Sequence, residues 1–280
     1  MQKEFLKTMK EFVFEGGKIA LEFMDKKTAS LKMDNSVITE ADKRISRLAH
    51  QKLKKYLQTP QHILIDEEDP HRAQYLNQEF LEKTKYIWAM DPIDGTRLYA
   101  NQMPLFGVSI GLMKDLKPWL GVVYFPALKE LFYCDGKNAY WEKNAFSKSA
   151  QKLKIKPRGE RITSKSLFLL SDLFFNSFSW KQQDCRLLIT ACAVVDVCWP
   201  SIGRGVGCFD QSYLWDFAGS WPIARCAGLD FRHWKTAEVL DKVHEKFFKK
   251  GKAPWQLQDY YLLSTKKNFI ELKKRISKKG

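Results

Sequence analysis

Apolar residues at Phe5, Met9, Phe12, Val13, Gly16, Ile19, Ala20 and Phe23 return every three or four positions, which predicts an opening helix of about six turns. A second helical stripe, Ala41, Ile45, Leu48, Leu53 and Tyr56 or Leu57, follows Thr39 and stops before Pro60. Ile63-Leu64-Ile65 and Tyr86-Ile87-Trp88-Ala89-Met90 are short apolar runs that each end at carboxylates, and both read as buried strands. Phe106–Met113, Pro118–Phe125 and Glu130–Cys134 read as β-segments parted by Lys114-Asp115 and Pro126-Ala127, the spacing of an antiparallel meander. From Lys165 onward apolar strands alternate with helices, one around Asp184–Val197 and another around Asp216–Ala227. Phe269–Ile276 reads as an amphipathic helix with a basic outer face. There is no internal repeat and no Gly/Ser-rich linker. The expectation is one compact α/β unit of stacked sheets and helices, with an N-terminal region, 1–150, and a C-terminal region, 151–280.

The chain has 280 residues, 45% of them hydrophobic. A chain of this length buries roughly three-quarters of its unfolded surface, so it needs no disulfide or structural metal for stability. Its most apolar stretches, Leu167–Phe175 and Ile189–Trp199, are broken by Ser171-Asp172 and by Asp196, so no membrane span is expected. Met1–Lys7 mixes both charge signs and carries no cleavage signal, which predicts a cytoplasmic protein. The six cysteines form no C-x-x-C pair and read as reduced core thiols. The net charge is +15, and residues 242–280 hold twelve Lys/Arg against three Asp/Glu. A basic tail of this kind reads first as a solvated face, with RNA or another polyanion as the alternative partner.

The acidic positions carry the chemistry. Asp66-Glu67-Glu68-Asp69 follows one predicted strand, and Asp91-Pro92-Ile93-Asp94-Gly95-Thr96 closes another. Alone, the first run reads as a solvated loop. Carboxylates three residues apart after a buried strand are different, because gathering like charges is unfavourable unless cations neutralise them. Oxygen donors favour Mg²⁺. The five histidines show no H-x-x-x-H spacing, which argues against zinc. Gly95 permits close backbone approach, and Thr96 can open a helix whose free N–H groups face an anion. Thr39-Glu40-Ala41-Asp42 reads on its own as a helix capping box.

Lys32 to Asp42, Glu67-Glu68, Asp91 to Thr96 and Trp215-Asp216-Phe217-Ala218-Gly219 resemble, in order and spacing, the four signature segments of the inositol monophosphatase family. The resemblance extends to Leu262–Thr265. It implies a layered αβαβα sandwich and a Mg²⁺-dependent phosphomonoesterase acting on a small phosphorylated polyol. It also implies that Glu67, Asp91 and the Ile93 carbonyl hold one Mg²⁺, and that Asp91, Asp94 and Asp216 hold a second. Asp216 lies 122 residues beyond Asp94, and spacing alone does not join them. By the same resemblance, Thr96 and Asp42 orient and deprotonate an activated water beside Glu67. Asp94 and the N–H groups of Gly95 and Thr96 receive the substrate, and Glu68 supports a further metal-bound water. Lys32 matches a family lysine near the phosphate, with a solvated surface Lys as the other reading. A homodimer is expected from resemblance only.

Several positions depart from the family pattern. Asp66 replaces the usual glycine before the Glu pair. Arg97-Leu98-Tyr99 replaces the usual Asn-Phe and, with Pro104-Leu105-Phe106-Gly107, is similar to the histidinol-phosphate phosphatase branch. Ala191-Cys192 stands where the family carries Gly-Ser, and Ala227-Gly228-Leu229 replaces Ala-Gly-Gly. Arg97 either contacts an anionic substrate or forms a surface ion pair. Histidinol phosphate is the alternative substrate. A non-catalytic role, binding RNA or transcription machinery through the basic C-terminal region, is the alternative of another class.

Overall fold

The computed structural model describes residues 1–26, 30–31, 37–181 and 184–279. Helix α1 (Gln2–Phe23) buries the stripe expected of it, including Phe5, Met9, Phe12, Val13, Ala20 and Phe23. Gly17 lets it close on the sheet, since a Cβ there would stand 2.7 Å from the Tyr124 ring. A short ribbon, β1 (Ser30–Leu31) with β2 (Val37–Ile38), leads into α2 (Glu40–Leu57), which packs beside α1.

The first sheet has seven strands in sequential order: β3 (His62–Asp66), β4 (Tyr86–Asp94), β5 (Gly107–Lys114), β6 (Lys117–Phe125), β7 (Glu130–Cys134), β8 (Ala139–Lys143) and β9 (Gln151–Lys154). Neighbours are antiparallel except β3 and β4, which run parallel through a connection holding α3 (Gln78–Lys83). That parallel pair decides where the site forms, because it delivers the acids ending both strands to one sheet edge. A short helix, α4 (Thr96–Ala100), turns the chain from β4 into β5.

The second sheet has the order β12 (Cys185–Ile189), β10 (Ser166–Leu170), β13 (Gly207–Asp210), β15 (Tyr261–Ser264), β14 (Asp230–His233). Its first three strands are mutually parallel and the last two pair antiparallel. Beyond it, α5 (Phe174–Ser177) leads into β11 (Phe178–Trp180), which pairs with β16 (Ile276–Lys278).

Between the sheets lie α6 (Ala193–Ser201), α7 (Leu214–Ala218) and α8 (Trp221–Cys226), while α9 (Lys266–Lys273) packs on β15. The layers therefore run α1 and α2, first sheet, α6 to α8, second sheet, α9: the αβαβα order expected. One apolar cluster joins the sheets, with Phe125 and Phe132 on one side, Leu169, Cys208 and Leu263 on the other, and Trp215, Phe217 and Trp221 between them.

Three expected elements differ. The helix around Asp184–Val197 is strand β12 followed by α6, because Ala191 takes a left-handed turn (φ 53°) that breaks the helical period. The helix around Asp216–Ala227 is split at Gly219 into α7 and α8. Packing explains the split: a Cβ on Gly111 would stand 2.3 Å from the Ala218 carbonyl, and one on Gly219 would stand 2.3 Å from Ser109 Oγ. The final helix stops at Lys273, and Ile276 enters β16. All six cysteines are free, five buried and Cys226 half-buried. Among the described residues no helix is long and apolar enough to cross a membrane.

Candidate active site

Parallel pairing places Asp66 opposite Met90, and the Glu67 N–H donates to the Met90 carbonyl at 3.3 Å. Asp66 is fully buried, which corrects the solvated-loop reading for this residue. Its carboxylate accepts from Ser46 Oγ and from the Glu68 N–H (2.9 Å) and lies 3.3 Å from His50 Nε2. The side chain in the usual glycine position thus ties the acidic turn to α2. Its hydrogen bond with His50 holds that imidazole's pKa up. Glu67 and Glu68 are half-buried.

Strand β4 is buried throughout and ends at Asp94. Gly95 follows with φ 84°, a left-handed conformation that opens α4, and a Cβ there would lie 3.0 Å from the Leu105 carbonyl. Thr96 Oγ1 donates to the Ile93 carbonyl at 2.8 Å. Asp94 reaches across to α6, accepting the N–H of Ala193 at 3.1 Å and that of Val194. Asp216, in the first turn of α7, accepts the Tyr213 N–H at 2.8 Å.

These acids share one environment. Burial first, then the charges of Glu67, Asp94 and Asp216, push the Asp91 carboxyl well above the ordinary range. Burial with the charges of Asp94 and Glu67 does the same to Asp216. Asp94 is pushed up to about 7, chiefly by burial, although its two backbone donors act the other way. Glu67, Asp91, Asp94, Gly95, Thr96, Arg97 and Asp216 all line a single cavity of about 370 Å³. The residue reached only through the resemblance, Asp216, is among them.

Asp42, the expected proton acceptor, is buried and does not line this cavity; the charges of Glu67 and Glu68 reach it. With Thr39 it forms the expected capping box: the Thr39 N–H donates to Asp42 Oδ2 at 2.7 Å, and the Asp42 N–H donates to Thr39 Oγ1 at 3.4 Å. Its other oxygen, Oδ1, is buried with no hydrogen-bond partner. Burial, with the charges of Glu67 and Glu68, pushes Asp42 up to about 7. Arg97 pairs with Asp172 at 3.2 Å on the cavity rim, the ion pair that was one of its two expected roles. Lys32 lies outside the described residues.

Reading the sequence missed other residues on the cavity wall: Arg72, Asp196, Asp210, Tyr213 and Tyr260. Asp196 carried a usable signal, since it is one acid in the apolar run Ala193–Pro200. It is buried, bonded to Thr190 Oγ1, and burial holds its carboxyl well up. Arg72 gave no such sign, because only the tertiary fold brings it over Trp215, a residue of the fourth signature segment.

The donor set suits a hard divalent cation. Asp91 Oδ1 is buried without a partner beside three further carboxylates, an arrangement that a cation stabilises and its absence does not. Among the described residues no three Asp, Glu, His or Cys side chains are placed so that together they could hold a metal ion. The acids are neighbours facing one space, with Asp94 and Asp216 each held by backbone N–H groups.

The sequence profile of the inositol monophosphatase family matches residues 1–263. The chain belongs to this family. It is accordingly a hydrolase, a phosphatase of the inositol monophosphatase type. Inositol monophosphatase 3 of Solanum lycopersicum is 30% identical over 79% of this chain and 81% of its own. A histidinol-phosphatase of Chlorobaculum parvum is 32% identical over 46% of this chain and 48% of its own. The crystal structure of extragenic suppressor protein suhB from Bartonella henselae superposes with a TM-score of 0.68 at 18% identity, over 96% of this chain and 98% of that one. The likeness to that structure shows a common fold.

Proposed function

We propose that the protein is a Mg²⁺-dependent phosphomonoesterase that hydrolyses a small phosphorylated polyol such as inositol monophosphate by attack of water. The observation that carries this reading is the meeting of Glu67, Asp91, Asp94 and Asp216 on one cavity with Thr96. Glu67, Asp91 and the Ile93 carbonyl would hold one Mg²⁺, and Asp91, Asp94 and Asp216 a second. Bound there, Mg²⁺ supplies Lewis-acid chemistry, making a water nucleophilic near neutral pH and neutralising charge on the phosphate and leaving oxygen.

The chain's own groups do the rest. Thr96 Oγ1 spends its proton on the Ile93 carbonyl, so its lone pairs are left to accept from the attacking water and hold it in line. Asp42, raised to about 7, has a basicity matched to taking that proton at neutral pH. The N–H groups at Gly95 and Thr96 receive phosphate oxygens. Asp94 keeps lone pairs for a cation while its backbone bonds fix its direction.

A second substrate, histidinol phosphate, is favoured by Arg97 with Pro104–Gly107 and by the histidinol-phosphatase relative. The test is phosphate release from myo-inositol 1-phosphate and from histidinol phosphate, with Mg²⁺ and with EDTA, in wild type and Asp91→Asn. Activity that needs Mg²⁺ and disappears in Asp91→Asn supports the site. Activity that persists in both controls rejects it, and the ratio of the two substrates decides between them.

A further inference from the structure

Two cations among the described residues line the cavity, Arg72 and Arg97. Arg97 is spent on Asp172. Arg72 is fixed but unspent. It lies in the 3₁₀ turn Arg72–Tyr75, after the acidic turn, and its backbone carbonyl accepts the Trp255 indole N–H at 2.9 Å. Its guanidinium donates through Nη1 to the Asp69 carbonyl at 2.8 Å and lies over the Trp215 ring, 4.8 Å from the centroid. Tyr213 stacks on the same indole, with centroids 4.6 Å apart.

This placement leaves charge and donors over. Nε is buried with no hydrogen-bond partner, and among the described residues Arg72 makes no ion pair, although Glu67, Asp91, Asp94, Asp172, Asp196, Asp210 and Asp216 line the same cavity. An arginine whose plane is already held by an aromatic face has lost most of its side-chain freedom before any ligand arrives, so it binds an anion at small further entropic cost. On the phosphatase reading above, the scissile phosphate would have its own partners in the proposed Mg²⁺ ions and the N–H groups at Gly95 and Thr96. A guanidinium on the wall beside Trp215 is therefore left for a different group.

We propose that Arg72 is an anion-reading subsite that binds a second negative group of the substrate. The substrate class is a small phosphorylated polyol carrying a further phosphate or carboxylate. This rests on the phosphatase reading above and narrows it.

The experiment compares matched pairs differing by one anionic group: myo-inositol 1-phosphate with inositol 1,4-bisphosphate, and glycerol 3-phosphate with 3-phosphoglycerate. In wild type, kcat/KM favours the doubly anionic member of at least one pair by about tenfold or more. Arg72→Gln removes that preference through KM, lowering kcat/KM about tenfold more for the doubly anionic member than for its partner, and Arg72→Lys recovers part of it. Equal losses on both members would mean that Arg72 serves the scissile phosphate or the fold, and would overturn the proposal, as would a wild type with no preference. Calorimetric binding of the same four compounds separates the two readings. If no phosphate ester is turned over, the phosphatase reading fails by itself, and equal affinity within both pairs still overturns the subsite.

Discussion

Asp94 Oδ1 accepts the backbone N–H of Ala193 at 3.1 Å, a bond that ties the end of β4 to the first turn of α6. With Val194 donating to the other oxygen, this carboxylate caps a helix as well as facing the proposed metal site. The two roles separate in mutants. Asp94→Asn keeps one acceptor for α6 and loses the charge, so it folds with a melting temperature within a few degrees of wild type. Its phosphatase activity, assayed with Mg²⁺, falls roughly 100-fold or more. Asp94→Ala leaves both N–H groups without acceptors and loses a further ~2 kcal/mol of stability. Melting curves beside phosphate-release assays check the pair, and full activity in Asp94→Asn would remove Asp94 from the ligand set.

Asp42, Asp94 and Asp210 are each pushed up to about 7, with burial the largest cause in all three. In the unfolded chain such groups titrate near 4. The metal-free native state therefore holds protons that the unfolded state releases. Stability from these groups is fully present below about pH 4 and is lost as pH rises through 7. The metal-free protein should melt at progressively lower temperature from pH 5 to pH 8, by roughly 2–4 °C for each kcal/mol lost. Added Mg²⁺ reverses the trend, because a bound cation favours the ionised carboxylates, and its stabilisation grows with pH. Thermal scans with EDTA and with Mg²⁺ across that range provide the check. A stabilisation by Mg²⁺ independent of pH would contradict it.

Parts of the site were legible because a local rule pointed to them. Glu67, Asp91 and Asp94 each follow an apolar run, and the parallel pairing of β3 with β4 carries both acidic ends to one edge. Thr39 and Asp42 form the capping box that their spacing announced. Asp216 came only from family resemblance, since no periodicity relates α7 to β4. Arg72 could not be read at all, because its meaning lies in contacts with Trp215 and Trp255 that form after the chain folds. The break at Gly219 was hidden for a similar reason. It reflects close approach of α7 and α8 to glycines in β5 and β6, while the residues on either side keep a helical pattern.

Gly95 has little freedom to change. Its φ of 84° disfavours any side chain, and a Cβ would meet the Leu105 carbonyl at 3.0 Å and Cys192 Sγ at 3.2 Å. Gly95→Ala should cost about 1–2 kcal/mol from the backbone conformation alone. The same shift moves Thr96 off its bond to the Ile93 carbonyl, so kcat should fall more than the stability loss accounts for. Chemical denaturation and steady-state kinetics on one preparation test this, and a variant with wild-type kcat would show that the turn does not position Thr96.

The basic C-terminal region is also a structural one. Phe269, Leu272 and Ile276 join Phe168, Phe174, Phe178 and Phe209 in one apolar cluster, and β16 pairs with β11. Burying such side chains contributes about 2 kcal/mol each. Deleting residues 266–280 should therefore lower the melting temperature by more than roughly 10 °C, and any loss of polyanion binding in that variant would report unfolding of the second sheet's outer layer. Lys266, Lys267 and Lys274 are exposed, so reversing their charge to Glu removes the basic face while leaving this cluster in place. The triple charge variant should melt within a few degrees of wild type and keep its phosphatase activity. If it also keeps salt-sensitive binding to a single-stranded RNA probe, the basic face is not where such a polyanion binds.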